Sequence, residues 1–475
     1  MTLEEKYQAD IGLEVHVELA TKSKIFCACP TRFGAFPNTQ VCPVCMGLPG
    51  VLPTLNKKAV ELAVTAGLAT DCQIAKVTGF DRKNYFYPDL PKAYQITQND
   101  LPICVEGHVD ITVNGESRRI GIQRIHIEED AGKLAHSQKD GTLVDYNRCG
   151  VPLIEIVSYP DMHSAEEAKE YLAELRRILL YAEVSDCKMN EGSFRCDVNL
   201  SVRKKGDEKM GIRAEMKNIN SFSFAAKAIE YEFIRQATLL ENGGEVLPET
   251  RRFDPDTGKT YPMRVKETAA DYRFFSEPDL PCFDVPDALV SLLRQRLPRL
   301  PKQLREEYVS RWGLTPTDSE IIISRPPMAK YFEEAAALTD FPKTVANLMI
   351  SELLSQMEAE SFDTPVSARS LAEVANLYGE GTVNSSTVKK LLQMLEQSEL
   401  SPRELVEKYG LAQINDEESI KKILLKVIEE NPKLLADYKN GKTAAKKAII
   451  GKIMAATGGK ANPTLANKIF ENMTD

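Results

Sequence analysis

Three polar side chains stand at alternate positions in Ile11-Gly12-Leu13-Glu14-Val15-His16-Val17-Glu18-Leu19. Strict apolar–polar alternation is the period of a half-buried strand, so Glu14, His16 and Glu18 share one face. Same-face neighbours on a strand lie about 7 Å apart, too far to pair directly but close enough to converge on one ion or phosphate. An ordinary solvated edge strand would carry the same pattern. Cys27-Ala28-Cys29 and Cys42-Pro43-Val44-Cys45 follow. A C-x-C with a C-x-x-C suits tetrahedral thiolate ligation of zinc with no open position, which makes the metal structural. It would staple a Pro- and Gly-rich insert over 27–45; free thiols or disulfides are the alternative.

Further carboxylates need partners. Glu128-Glu129-Asp130 are three consecutive acids at a strand end, which repel one another unless a cation or donors neutralise them. Glu155 sits inside the apolar run Val151-Pro152-Leu153-Ile154-Glu155-Ile156-Val157, and a lone carboxylate buried there is costly. A hard ion shared by His16, Glu129 and Glu155 resolves this, and a mostly carboxylate ligand set fits Mg²⁺ or Mn²⁺ better than zinc. Arg195, Asp197, Asn199, Ser201 and Arg203 share one face of another alternating run, and Arg213, Glu215 and Lys217 repeat the pattern. Several such faces suggest a sheet with a hydrated, ligand-binding side. Arg195, Asp197, Asn199, Lys217 and Arg264 are the candidate phosphate and nucleotide contacts. The segment 80–95 contains Tyr85-Phe86-Tyr87 between Lys83 and Lys92 and is broken by Pro88 and Pro91. It cannot be a regular helix; it is either a polar passage lining or an aromatic-anchored surface loop.

The positioning elements are readable in outline. Asn56 caps a helix over 57–68, and Ser164-Ala165-Glu166-Glu167 opens one to about Tyr181. Asn114-Gly115 between alternating runs marks a hairpin. Alternation ends after Pro278-Asp279-Leu280-Pro281, and helical periodicity takes over at 289–297, 301–311, 327–338 and 343–359. Short helices are expected at 419–431 and 442–456. Domain boundaries are therefore expected near 285 and 405, giving 1–285, 286–405 and 406–475.

A chain of 475 residues, 43% hydrophobic and 27% charged, is an ordinary globular composition. No apolar run approaches a membrane span, and the polar, acidic N-terminus resembles neither a signal nor a transit peptide. Scattered single cysteines beyond the quartet point to a reduced, cytoplasmic protein. The net charge of −9 argues against broad adhesion to nucleic acid, yet residues 421–475 hold eleven Lys, no Arg and five acids. Any nucleic-acid contact is expected at this basic tail, although a lysine-solvated helical face is the alternative.

The runs 11–16, 81–89 (Asp81-Arg82-Lys83-Asn84-Tyr85-Phe86-Tyr87-Pro88-Asp89), 128–133, 152–157, 213–218 and 251–254 together resemble the B subunits of glutamine-dependent aspartyl/glutamyl-tRNA(Asn/Gln) amidotransferases. The similarity is dense and ordered over 11–281, and the stretch from Gly441-Lys442 to Pro463 looks like that family's small YqeY-like tail. The resemblance implies an α+β protein: a β-rich, cradle-shaped catalytic domain, an all-α domain and a tail that meets tRNA. It implies that ATP phosphorylates the side-chain carboxylate of misacylated Glu-tRNA(Gln) or Asp-tRNA(Asn). Ammonia then displaces the phosphate; it is channelled from an amidase-type A subunit, with a small C subunit completing a heterotrimer. It implies a magnesium site at His16, Glu129 and Glu155 with Glu14 adjoining, and places Lys83, Tyr85 and Lys92 where the channel meets that site. The chain shows no glutaminase signature of its own, so its ammonia is expected from a partner. A zinc-stapled tRNA-binding adaptor without catalysis is the competing reading.

Overall fold

The computed structural model describes residues 2–137, 141–265, 269–357, 362–439 and 442–474. It divides into two compact units, Met1–Pro301 and Lys302–Asp475.

The first unit is built on strand β1, Tyr7–Glu18. Its apolar residues Ile11, Leu13, Val15 and Val17 are buried, while Glu14, His16 and Glu18 are only partly covered. Among the strands that follow are β2 (Gln73–Ile74), β3 (Asp81–Asn84), β4 (Tyr94–Thr97), β5 (Cys104–Val113), β6 (Glu116–Glu129), β7 (Pro152–Ser158), β8 (Phe194–Lys204), β9 (Ala214–Ile219), β10 (Glu249–Asp254) and β11 (Lys259–Val265). Nine of them form one sheet in the order β11-β10-β9-β8-β1-β7-β6-β5-β2, with β1 near the middle. All neighbours are antiparallel except β9 and β10. The β5–β6 hairpin turns at Asn114 and Gly115, with φ of 53° and 83°. That is the turn whose twist matches the flanking strands, and Asn-Gly tolerates it best.

Three helices bury the sheet's apolar face: α1 (Lys57–Ala69), α2 (Ala165–Tyr181) and α3 (Phe222–Glu241). Asn56 caps α1 by accepting from Lys58 N at 2.9 Å. Ser164 accepts from Glu167 N at 3.1 Å, but the Glu167 carboxylate takes the amide of His163 at 2.7 Å instead of the cap residue's own. The expected reciprocal box is thus displaced by one residue. Leu172, Leu175 and Leu179 of α2 are fully buried in this core. Leu172→Ala should cost about 2–5 kcal/mol, read as a lower denaturation midpoint at unchanged slope.

The first unit extends past the boundary expected near 285. The helix Asp287–Arg296 is amphipathic, and its Leu293 joins Val285 in the N-terminal core. In the second unit the helical periodicity holds at Pro301–Trp312, Pro326–Ala336 and Pro342–Leu348. The last of these continues as π and 3₁₀ turns to Gln356; the end of the expected 343–359 helix lies outside the described residues. Helices Glu417–Glu430, Thr443–Ala456 and Pro463–Thr474 enclose a separate small core around Leu424, Ile449, Ile453 and Phe470. Among the described residues no helix is long and apolar enough to cross a membrane.

Candidate functional site

The polar face of the sheet gathers the ionisable side chains. Strand pairing sets His126 (β6), Glu155 (β7), His16 (β1) and Arg195 (β8) side by side in one row. His16 Nε2 lies 3.5 Å from Glu128 Oε1 and 3.5 Å from Glu155 Oε2. His126 Nε2 lies 3.2 Å from Glu155 Oε2, and Thr97 Oγ1 3.3 Å from Glu128 Oε2. Ligand atoms of His16, Glu128 and Glu155 all stand within 4.8 Å of one another, which fits a single divalent cation. Burial alone would strip charge from His126, but Glu155 and Glu128 outweigh it and hold the imidazole up at about 9. Against burial, His126 and His16 hold both carboxyls below their usual range.

The expected third ligand, Glu129, is elsewhere. Successive side chains leave a strand on opposite faces. Ile125 and Ile127 of β6 go to the core, so His126 and Glu128 go to the polar face and Glu129 returns to the core side. There it accepts from Lys92 Nζ at 2.5 and 2.7 Å and from Ile96 N at 2.9 Å. The carboxylate beside His16 and Glu155 is Glu128. Alternation already carried this signal: counted from Ile125 and Ile127, only the first of the two glutamates has the parity of His126.

A second cluster lies one step along the face. Glu14, Asp197 and Glu215 also bring one oxygen each within 4.8 Å of the others. Lys217 Nζ reaches Asp197 at 2.5 Å and Glu215 at 3.0 Å, and Asn199 Nδ2 donates to Glu14 at 2.9 Å. Burial would lower the Lys217 ammonium, but the two carboxylates keep it raised. Glu215, Arg213 and Arg124 were not among the expected ligands, although Glu215 shares the alternating run of Lys217. Both clusters line one cavity of about 340 Å³ with Lys83, Arg124, Arg213, Tyr272 and Phe274.

The other expected residues divide between this cavity and its surroundings. Lys83 Nζ lies 4.9 Å from the Tyr272 ring centroid and 5.8 Å from that of Tyr85, an ammonium held between aromatic faces. Burial, with Glu128 nearby, pushes the Tyr85 hydroxyl up, so it stays a neutral donor. Lys92 is separated from them by its pairing with Glu129. Arg195 donates to Asp130 at 2.6 Å and lines a different cavity, shared with Glu18. The side chain of Arg264 lies outside the described residues.

The four expected thiols, Cys27, Cys29, Cys42 and Cys45, bring their sulfurs within 4.8 Å of one another, with no disulfide among them. Sulfurs bound tetrahedrally at 2.3 Å would sit about 3.8 Å apart, so a modest contraction admits zinc. The hydrogen bond from Cys27, aided by Lys24, whose ammonium lies 3.6 Å away, lowers the Cys45 thiol to about 4. Burial first, then Cys42, raises Cys29 to about 11. The quartet adjoins a cavity of about 210 Å³ lined by Cys27, Cys45, Gly47, Lys92 and Glu129. A Cβ on Gly47 would lie 2.3 Å from Lys92 Cγ, so this loop packs directly on the lysine stem.

The model of the GatB/GatE catalytic domain matches residues 9–291, and that of the GatB domain matches residues 330–473. The B subunit of the aspartyl/glutamyl-tRNA(Asn/Gln) amidotransferase of Thermoanaerobacter pseudethanolicus is 52% identical over 469 residues, 98% of this chain and 99% of that protein. Its counterparts in Caldicellulosiruptor bescii and Brevibacillus brevis are 51% and 46% identical over 472 residues, 98% of this chain and 98% and 99% of theirs. Two family models in sequence order and near full-length identity on this scale leave one assignment: the chain belongs to the family of aspartyl/glutamyl-tRNA(Asn/Gln) amidotransferase B subunits.

Proposed function

We infer that this chain activates the side-chain carboxylate of Glu-tRNA(Gln), Asp-tRNA(Asn) or both with ATP, and amidates it with ammonia supplied by a partner. The observation that supports this most is the pair of carboxylate clusters one step apart on one strand face. A carboxylate is a poor electrophile because oxide would have to leave; phosphorylation gives it a leaving group. His16, Glu128 and Glu155 would hold one Mg²⁺, and Glu14, Asp197 and Glu215 suit a second. Bound there, the ions would neutralise the charge of the transferring phosphoryl group.

The chain's own residues do the rest. Lys83, Arg124, Arg213 and Lys217 surround the cavity with fixed positive charge for phosphate oxygens, and Asn199 orients Glu14. Tyr272 and Phe274 close part of the rim and limit water around a reactive acyl phosphate. Lys92 and Glu129, on the other side of the sheet, form a buried ion pair able to pass a proton and so to admit neutral NH₃, the only form that attacks. An amidase-type A subunit would supply that ammonia, and a small C subunit would complete the heterotrimer. The thiolate quartet would hold zinc as a structural staple and take no part in the chemistry.

Trapping tests the reading. With ATP, Glu-tRNA(Gln) and hydroxylamine but no glutamine, the reconstituted complex should yield the γ-hydroxamate, and Lys83→Met should reduce it about 100-fold. Amidation that proceeds without ATP, or ATP cleavage that never yields hydroxamate, overturns it.

The C-terminal core around Leu424 and Phe470 presents the lysine-rich helices. Ending the chain after Gly410 leaves the helix Pro402–Lys408 whole. That truncation should raise KM for tRNA about ten-fold or more while lowering kcat far less. Equal activity at limiting tRNA refutes a tRNA-binding tail.

A further inference from the structure

The run Arg251-Arg252-Phe253-Asp254 carries part of the family resemblance, yet none of its four side chains lines the cavity of the carboxylate clusters. Arg251 is buried on the helix side of the sheet. It donates Nε to Thr260 Oγ1 at 2.8 Å, Nη2 to the Thr260 carbonyl at 2.9 Å and Nη1 to Glu249 at 2.6 Å. Its Nε also lies 3.4 Å from Oε2 of Glu232, a fully buried carboxylate of α3. Glu232 accepts from Thr260 at 2.9 Å, from Gln236 at 2.9 Å and from Arg235 at 2.5 and 3.0 Å. A buried ion is costly unless paired in this way, and here the pairing ties β10 and β11 to α3.

Successive side chains alternate, so with Arg251 on the helix side its predecessor Thr250 faces the polar side. Thr250 is buried, lines the cavity and gives its hydroxyl to Glu215 Oε2 at 3.1 Å. The other oxygen of that carboxylate lies 3.0 Å from Lys217 Nζ. Both oxygens of Glu215 are thus held, and with them the angle at which it meets Glu14 and Asp197.

The ladder that carries this contact is weak by itself. β9 and β10 run parallel and share three register pairs, Glu215 with Thr250, Met216 with Arg251 and Lys217 with Arg252. Parallel ladders are slightly less stable per residue, and a slip of one position would turn Glu249 or Arg251 toward Glu215. On the far side, the β10–β11 register skips Met263 between Thr250 and Arg251. A bulge bends its strand and re-aims side chains, a device common beside active sites.

We propose that Thr250 is a positioning residue for the second ion site: it fixes the Glu215 carboxylate, and the buried Arg251–Thr260–Glu232 network holds the strand that presents it. This rests on the reading above that Glu14, Asp197 and Glu215 hold a cation. Valine has nearly the shape of threonine but no hydroxyl, so in Thr250→Val one oxygen of Glu215 loses its donor and the carboxylate is free to turn.

Mn²⁺ titrated into the reconstituted complex, with one equivalent of a non-hydrolysable ATP analogue and the free ion followed by electron paramagnetic resonance, should fill two sites. Thr250→Val should weaken one of them about ten-fold or more, while the one that Glu155→Gln removes stays within about two-fold. Thr250→Ser, which restores the hydroxyl, should bring the weakened site back to within about three-fold of the intact complex. Arg251→Lys keeps the charge but cannot make the paired bonds to Thr260, and should weaken the same site with KM for tRNA unmoved. If Thr250→Val holds both ions normally, or Thr250→Ser does no better than valine, the positioning role is overturned. Weakening of both sites alike marks a merely structural threonine and overturns it as well. Arg251→Lys with both sites unaltered overturns the anchoring. An intact complex that takes up a single Mn²⁺ refutes the second ion, and this assignment falls with it. If carboxylate activation alone is wrong, hydroxamate fails to form, yet two ions still bind and Thr250→Val still weakens one.

Discussion

Glu128→Gln should lower tRNA-dependent ATP cleavage about 10³-fold, a loss on the order of 4 kcal/mol. Glu129→Gln should do something different. The Glu128 carboxylate stands 3.5 Å from His16 and is within reach of the ion that Glu155 would share. The amide keeps the shape and removes the charge, so the phosphoryl group loses its counter-ion where charge accumulates. Among the described residues the Glu129 carboxylate is hydrogen-bonded by Lys92 Nζ and by Ile96 N of β4. Its amide leaves the Lys92 ammonium buried without a charged partner, a change that strikes nitrogen delivery. With Glu129→Gln, ATP cleavage should remain within a few-fold, while amidation driven by glutamine falls at least ten-fold and amidation driven by concentrated ammonium salt falls less. Assaying both variants in the reconstituted complex for all three activities decides the matter. If Glu129→Gln stops ATP cleavage and Glu128→Gln does not, the assignment by strand parity is wrong.

Removing the thiolate metal should have the second largest effect. Purified chain should contain close to one zinc by elemental analysis, and Cys45→Ser should lose it. Structural zinc contributes folding free energy outright, so Tm should fall by roughly 5 °C or more. The damage should spread in one direction. The loop that follows the quartet packs Gly47 on the Lys92 stem. Its release should therefore weaken glutamine-driven amidation more than ATP cleavage. Purified chain without zinc, or a zinc content and Tm that Cys45→Ser leaves unchanged, would show that the four thiols are merely neighbours.

Much of this is legible in the chain. Alternation in 11–19 and 194–203 marks two central strands, and Asn114-Gly115 marks a hairpin of the same sheet, because in each case a local period or a single turn decides the outcome. The cysteine quartet is legible because ligand spacing survives without knowledge of the fold. Glu129 misleads: three acids in succession hide a strand parity that the flanking Ile125 and Ile127 fix. Arg195 groups with Asp197 on sequence because they share a face. Which cavity each borders depends on Asp130 from a distant part of the chain, and no local pattern carries that. Helix Phe222–Glu241 escapes sequence reading because its aromatic positions are filled by packing on β8 and β10, as where Phe224 lies 5.7 Å from Phe253. The boundary expected at 285 lies nearer 301, because Leu293 is buried in a core whose other members are distant in sequence.

Adjacent acids that leave β6 in opposite directions make the sheet a partition one peptide thick. In the proposed function phosphate chemistry would keep to one compartment and nitrogen to the other, and what tells the two carboxylates apart is whether their position is odd or even. A single neutral residue inserted upstream in that strand would exchange their compartments while barely altering composition and leaving the charge the same, whereas two would restore them. Gaps of one residue should therefore be scarcer here among working relatives than gaps of two.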